Sequence, residues 1–346
     1  MSAVDIPFCP GPPEHQSGPF PFKLPHGAVD THAHVISAAS FVPDRSYTSP
    51  EATEEQYIRM LDEVGMTYGV LIQVSVNGQD NEPMLTALEN HPKRLRGVAV
   101  PLPNQPDAYY QRMKDAGVVG IRMNLMFSGG GLDISKLEEC DALAKDWGWH
   151  IQFLMDANDL PNLMPRMQKM QSTLVIDHMG YLRTSVGLQS PGFRALLDLV
   201  KEKAWVKVSG AYRLTDEPPP YLDVVPYAKA LIAAAPDRCV WGSDWPHVAN
   251  WGVMPRVAQM LESLALYVPD EAQRKAKDIA CLNNLRQLGI ALITYAGDNQ
   301  DTLPAAEPLP SLGPGGTNGL PRIADVLAPQ LGYGSGTNQP GNSVFK

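Results

Sequence analysis

The 346-residue sequence has few cysteines, and they are widely spaced. Cys9, Cys140, Cys239 and Cys281 form no CxxC pair. This spacing argues against a cysteine-based zinc site, and the low count argues against the dense disulfide framework of small secreted domains. The set is typical of a protein that works in the reduced cytoplasm.

Positive charge and long apolar runs are also scarce. The chain has 28 basic and 37 acidic residues, a net charge of −9, and no cluster of Lys or Arg. Nucleic acid is therefore not an expected partner. No apolar stretch reaches the ~18–20 residues that span a bilayer, and the first residues lack the basic and apolar regions of a signal peptide. We expect neither membrane insertion nor secretion.

Proline is frequent but unevenly distributed. Of 32 prolines, seven lie in residues 1–26 and seven in residues 301–346. We therefore predict a globular body over residues 27–272 with a loose, proline-rich N-terminal extension. Residues 273–296 form a helical pattern, and residues 297–346, rich in Gly and Pro, are predicted to be a flexible, poorly ordered tail.

Eight short apolar runs alternate with helical patterns in the globular body. Several runs are unbroken, as parallel strands require when helices cover them. Eight strand–helix units match the size of a closed (β/α)₈ TIM barrel. No GxGxxG follows the first run, which argues against a dinucleotide-binding sheet. The predicted strands are residues 28–35, 69–75, 95–101, 118–124, 150–155, 173–179, 205–210 and 239–244.

Polar residues at the carboxyl ends of the predicted strands are candidates for catalysis, because the active sites of such barrels form there. His32 and His34 are two residues apart at the end of the first strand, so their side chains face the same way. His178 ends the sixth strand and Asp244 the eighth. We expect these four groups to converge on one catalytic centre.

Arginines form a second group of candidates. Arg122 lies in the fourth predicted strand and Arg213 just beyond the seventh, while Arg45 and Tyr47 lie in the loop after the first. A guanidinium group presents a planar fork of donors that suits carboxylates. The arginines therefore predict an anionic substrate, with surface ion pairs as the alternative for each.

Three segments carry a resemblance to a known family. VDTHAH at 29–34, IDHMG at 176–180 and GSDWPH at 242–247 resemble the amidohydrolase superfamily, within it the branch of 2-pyrone-4,6-dicarboxylate lactonase and related lactone hydrolases. The likeness extends from about residue 27 to residue 272. Together the segments are specific, whereas the HxH element alone is shared by many metal hydrolases.

The resemblance implies a barrel that hydrolyses a small, carboxylate-bearing lactone. Asp244 would be the general base for the attacking water, with His32, His34 and His178 near the scissile carbonyl. The residues expected to bind the substrate are Arg122, Arg213, Tyr47, Ser75 and His247.

One departure from the family pattern affects the substrate. The pyrone lactonases carry a further arginine shortly after the fourth strand, whereas residues 126–131 here read MFSGGG. A sulfonated muconolactone or a sugar-acid lactone, hydrolysed or isomerised, is therefore an alternative substrate.

A metal centre is a second open question. His32, His34, His178 and Asp244 could together hold one divalent ion such as zinc. The lactonases that the chain resembles are metal-independent, and Arg122 in strand four makes a cation less favourable there. We expect no cofactor, with a mononuclear zinc decarboxylase of an aromatic or muconate-like acid as the alternative.

Residues 274–304 carry a different resemblance, to type II secretion pseudopilin-like proteins just after their N-terminal helix. We predict that this segment is foreign to the enzyme; alternatively, residues 275–290 supply the closing helix of the barrel. An inactive barrel that uses the segment for interaction is a further alternative, although the retained polar residues argue against it. The sequence leaves the oligomeric state open.

Overall fold

The computed structural model describes residues 6–20, 22–127 and 129–268. Strands and helices alternate through this part of the chain. The strands are β1 (Val29–Ala33), β2 (Tyr68–Ile72), β3 (Leu95–Ala99), β4 (Val118–Asn124), β5 (His150–Leu154), β6 (Leu174–Ile176), β7 (Trp205–Lys207) and β8 (Cys239–Val240). The helices are α1 (Glu54–Val64), α2 (Glu82–Asn90), α3 (Asp107–Ala116), α4 (Leu137–Trp147), α5 (Leu160–Met167), α6 (Pro191–Glu202), α7 (Val225–Ala234) and α8 (Val257–Tyr267).

The strands form one parallel sheet in the order β1 to β8. The chain after β8 returns to β1: the His34 N–H donates to the Trp245 carbonyl at 2.8 Å, and the Asp244 N–H donates to the His32 carbonyl at 2.8 Å. These bonds join the segment that follows the last strand to the end of the first strand, where the candidate residues lie. The (β/α)₈ barrel and all eight predicted strands are thereby confirmed.

The two faces of the strands differ in polarity. Gln152 on β5 and Lys207 on β7 are hydrogen-bonded to each other at 2.8 Å, so both point into the barrel. Alternation along the strands turns Ile151, Phe153 and Val206 outward to the helices, where they are fully buried. The helices therefore pack on apolar side chains, while polar groups occupy part of the barrel interior.

The N-terminal extension is anchored to the barrel over residues 6–20. The Cys9 N–H donates to the Thr48 carbonyl at 2.7 Å, and the Thr48 N–H donates to the Pro7 carbonyl at 2.8 Å. The expectation of a loose N-terminus is wrong here, because prolines interrupt only some of the backbone donors and the remaining N–H groups still pair.

Gln16 attaches the extension to the start of α8. Its side-chain oxygen accepts from the Val257 N–H at 3.1 Å, its carbonyl accepts from the Ala258 N–H at 3.1 Å, and the residue is buried. The first N–H groups of a helix have no partner within the helix, so Gln16 acts as a cap from outside.

We expect Gln16→Ala to lower the free energy of unfolding by about 1–2 kcal/mol, since it removes one cap bond from a buried helix end. Urea unfolding followed by circular dichroism measures the change. Gln79→Ala, at an exposed position, is the matched control. Equal unfolding midpoints for the two variants would show that Gln16 does not stabilise this contact.

Three sequence-based predictions lie outside the described residues: the pseudopilin-like segment 274–304, the helical segment 273–296 and the tail 297–346. Among the helices that are described, none has both the length and the apolar character needed to cross a membrane.

Candidate active site

The backbone at the carboxyl ends of β6 and β8 adopts unusual conformations. Asp244 has φ of 61° and His178 has φ of 47°, both in the left-handed region that non-glycine residues rarely adopt. Such residues cluster at functional sites, where the surrounding structure holds them in place.

Asp30 provides part of that support. Its carboxylate accepts from the Ser243 N–H at 2.7 Å and from the Ser243 hydroxyl at 2.6 Å, with a further bond of 3.2 Å from the Tyr57 hydroxyl. Burial raises the pKa of Asp30 to about 6, and these donors oppose the rise. Asp30 thus ties β1 to the segment that presents Asp244.

One carboxylate oxygen lies at the centre of the site. The Oδ1 atom of Asp244 is 3.8 Å from the Nε2 of His32, 3.7 Å from the Nε2 of His34 and 3.6 Å from the Nε2 of His178. All four side chains are buried. The structure therefore brings together the complete set of catalytic residues predicted from the sequence.

The second oxygen of Asp244 is held by two donors. The Tyr212 hydroxyl lies 2.6 Å and the Arg213 Nε 2.5 Å from Oδ2. Burial alone would raise the pKa of Asp244, but the Arg213 guanidinium beside it lowers that pKa well below its usual range. Asp244 is consequently ionised at neutral pH, with Oδ1 facing the imidazoles as a proton acceptor.

Tyr212 was not among the residues predicted from the sequence. It lies in the short turn after β7 and directly precedes Arg213, so its position beyond a strand end was the available signal. Tyr212→Phe should lower kcat about tenfold, the effect of losing one hydrogen bond to a charged group. Because the hydroxyl stabilises ionised Asp244, its loss should raise the pKa of Asp244; if Asp244 is the predicted general base, the acid limb of the kcat/KM profile then moves to higher pH. An unchanged acid limb would count against this role.

Arg213 lines the cavity, but its donors are largely used within the protein. Besides Asp244, it bonds the Val248 carbonyl at 3.0 Å and the Tyr181 hydroxyl at 3.4 Å, and its guanidinium lies 4.8 Å from the ring centre of Tyr212. Its geometry indicates that it orients the Asp244 carboxylate. Contact of Arg213 with the substrate stays a prediction.

Two of the histidines are oriented by neighbours behind them. The Nδ1 atom of His34 is 2.8 Å from the Ile72 carbonyl, which only accepts, so this nitrogen carries the hydrogen and Nε2 presents a lone pair to the site. The Nδ1 atom of His178 contacts the Ser209 hydroxyl at 3.1 Å. Burial lowers the pKa of His34, and it lowers the pKa of His178 to about 4, so both are neutral at pH 7.

A small cavity opens beside these groups. Arg122 reaches it from β4, and the Tyr47 hydroxyl is hydrogen-bonded to the Ser75 hydroxyl at 2.8 Å. Its walls are a mixture of charged, polar and apolar side chains: His34, Tyr47, Val74, Ser75, Arg122, Phe127, Leu154, His178, Tyr181, Arg213, Asp244 and Val248. Arg122 therefore brings positive charge to the wall of this cavity.

Two other candidates lie elsewhere. The structure does not place His247 at the cavity; its buried ring packs edge-on against Tyr212 with centroids 5.5 Å apart, and burial lowers its pKa to about 4. Arg45 donates to the Thr48 hydroxyl and the Val42 carbonyl, both at 3.0 Å, and so braces its own loop.

The donor types of the site fit a divalent ion. His32, His34 and Asp244 offer ligand atoms that all lie within 4.8 Å of one another. The Nε2 of His32 and the Oδ1 of Asp244 have no hydrogen-bond partner among the described residues. Imidazole nitrogen and carboxylate oxygen are ordinary zinc ligands.

Comparison with known proteins places this site in a family. The family model described as Amidohydrolase matches residues 29–277. The chain belongs to the amidohydrolase family. Its motifs at the ends of β1, β6 and β8 are therefore those of an amidohydrolase barrel, as the resemblance implied.

Relatives of this amidohydrolase act on lactones. It is 34% identical to 4-sulfomuconolactone hydrolase of Rhizobium radiobacter, over 78% of this chain and 92% of the relative. It is 36% identical to 2-pyrone-4,6-dicarboxylate hydrolase of Comamonas testosteroni, over 73% and 88%. Among solved structures it resembles a probable 2-pyrone-4,6-dicarboxylic acid hydrolase of Acinetobacter baumannii with citric acid bound, at 27% identity and a TM-score of 0.65, covering 74% of this chain and 99% of that one.

Proposed function

We propose that this amidohydrolase opens a small, carboxylate-bearing lactone by attack of water activated by Asp244. The proposal rests on the different surroundings of the two oxygens of the Asp244 carboxylate. Oδ2 is held by Tyr212 and Arg213, and Oδ1 faces the imidazoles at the cavity. A base fixed in this way can accept a proton only at the atom that faces the substrate. The relatives' action on lactones supports the same class of reaction.

Arg122 is the proposed anchor for the substrate's carboxylate. It is buried, donates through one nitrogen to the Gln73 carbonyl at 2.6 Å, and lines the cavity. Its Nε has no hydrogen-bond partner among the described residues. A charged donor group so placed favours an anion. The hydroxyls of Tyr47 and Ser75 lie on the same cavity and add neutral donors.

The reaction follows from this placement. Water attacks the lactone carbonyl as Asp244 Oδ1 takes one of its protons, and an imidazole N–H stabilises the developing oxyanion. Collapse of the tetrahedral intermediate breaks the ring C–O bond. The ring oxygen takes up the proton from Asp244, and the new carboxylic acid releases its own proton to solvent, which leaves an open-chain carboxylate with a hydroxyl or enol group.

We further propose that the reaction needs no metal, because the guanidinium groups of Arg122 and Arg213 already supply positive charge beside the cavity. If an ion is bound, His32, His34 and Asp244 would hold it, and it would polarise the carbonyl. Metal analysis of the purified protein, with turnover measured before and after chelation, tests this. Stoichiometric zinc on which turnover depends would contradict it; carbon dioxide release with an aromatic acid would instead support the decarboxylase.

A panel of lactones tests the function itself. We expect ring opening of 2-pyrone-4,6-dicarboxylate, 4-sulfomuconolactone or a sugar-acid lactone, followed by the loss of ring absorbance or by chromatography. A neutral lactone of the same ring size is the control and should turn over more slowly. Failure of every anionic lactone to react, in folded protein, would contradict the proposal.

A further inference from the structure

Lys207 is a buried lysine whose role the mechanism above does not explain. It is 3% exposed and points into the barrel interior from β7, where it contacts His32. Lysine is almost never fully buried unless it is paired. Each hydrogen of its ammonium group therefore needs an acceptor within the barrel.

An ammonium group has three hydrogens and no acceptor. Lys207 Nζ donates to the Thr31 carbonyl at 2.9 Å and to the Gln152 side-chain oxygen at 2.8 Å. Its third contact is the Nδ1 of His32 at 3.2 Å. Asp177 supplies the balancing charge, with Oδ1 at 3.4 Å from Nζ and Oδ2 accepting from Gln152 at 3.0 Å.

The competing arrangement would have His32 donate from Nδ1 to Asp177. These atoms are 3.3 Å apart, but the same Asp177 Oδ1 lies 3.4 Å from Lys207 Nζ, so the ammonium charge already faces this oxygen. A hydrogen on Nδ1 would also face the donor-only Lys207 ammonium at 3.2 Å. Two donors in contact repel each other, so the third hydrogen of Lys207 and the lone pair of Nδ1 fit together better.

We propose that Lys207 is a positioning residue that fixes His32 as the neutral tautomer with its hydrogen on Nε2. His34, which donates from Nδ1 to Ile72, is the opposite tautomer. The two histidines of the HxH motif therefore present one donor and one acceptor to the site. The sequence does not distinguish them, because both lie at the end of the same strand.

This asymmetry matches the needs of a reacting water. Such a water can donate to Asp244 Oδ1 and to His34 Nε2 while it accepts from His32 Nε2–H. One lone pair then remains for the lactone carbonyl. The same asymmetry opposes a metal ion, because an ion needs a lone pair on the Nε2 of both histidines.

The first test measures the tautomers in the wild-type protein. Long-range ¹H–¹⁵N correlation spectra of protein labelled at its eight histidines distinguish the two neutral tautomers and the imidazolium. Spectra of single His→Gln variants assign His32 and His34. We expect hydrogen on Nε2 of His32 and on Nδ1 of His34. A hydrogen on Nδ1 of His32, in either the neutral or the charged form, would overturn the proposal.

Lys207→Met provides the second test, with the exposed Lys201→Met as the matched control. Without the ammonium, His32 is expected to turn its hydrogen to Nδ1, toward Asp177. We expect kcat to fall about 10²-fold at nearly constant KM, because a donor is lost from the reacting site. Zn²⁺ affinity, measured by calorimetry, should rise at the same time. An unchanged His32 tautomer in folded Lys207→Met would contradict the role; if this variant does not fold, the wild-type spectrum decides.

The tautomer is measured without substrate. This proposal rests on the proposed function only for the contribution of His32 to turnover. A failed lactone screen would leave the tautomer assignment standing, and a failed tautomer assignment would leave the lactonase activity standing.

Discussion

Asp244→Asn is expected to lower kcat about 10³-fold, within the range that general-base catalysis contributes. An amide cannot accept a proton from water at neutral pH. Its oxygen can still accept from Tyr212 and Arg213, so the two donors that hold the carboxylate keep a partner. Substrate binding should remain measurable, because the proposed carboxylate anchor is Arg122 on another strand.

The structural effect of this substitution should be small. Asn has the shape of Asp, and its amide nitrogen would face the imidazoles, where the lone pair of His34 Nε2 can accept a hydrogen. Asp198→Asn, at an exposed position on α6, is the control and should behave as wild type.

Steady-state kinetics on the most active lactone, with thermal unfolding of both variants, separates chemistry from stability. A variant that keeps more than a third of the wild-type rate would remove Asp244 from the role of base. A fall in kcat accompanied by an equal fall in folded protein would show a structural role instead.

The sequence predicts the quartet of candidate catalytic residues because the carboxyl ends of all strands in such a barrel meet at one rim, whatever their distance along the chain. His32, His34, His178 and Asp244 come at the ends of strands that the βα rhythm already marks. Parallel strands in a closed barrel bring those ends to one rim. The tertiary structure adds no residue to this quartet; it supplies the distances.

The contacts of Lys207 could not be predicted from the sequence. It alternates with Val206 and Val208, a pattern that does place it on the face opposite the helices. The pattern does not reveal that Gln152 and Asp177 meet it across the interior, because that contact depends on the register of three different strands.

The roles of the arginines were harder to predict than their positions. Arg122 and Arg213 have the same chemistry and both lie near strand ends, yet only Arg213 is bonded to Asp244. Local sequence does not encode which acceptor a guanidinium group meets. Likewise, the proline content of the N-terminal extension predicts weak secondary structure but does not reveal its pairing with Thr48.

The second large effect is expected for Arg122→Met, which should raise KM for an anionic lactone about 10- to 150-fold with a smaller change in kcat. The range corresponds to the ~1.5–3 kcal/mol of a hydrogen bond to a charged group. Met retains the length of the apolar stem and removes only the donors and the charge. The Gln73 carbonyl loses its partner as well, so unfolding must be measured alongside.

Substrate charge provides the sharpest control for this variant. If Arg122 binds the carboxylate, kcat/KM for a neutral lactone of the same ring size should change little, while the value for the anionic lactone falls. Arg122→Lys should lie between wild type and Arg122→Met, because it keeps the charge without the planar fork. Equal losses on both lactones would assign Arg122 to the support of Gln73 and the barrel wall. The substrate's carboxylate would then have to bind to Arg213, the other arginine at the cavity. Binding there would compete with the bond from Arg213 that orients Asp244.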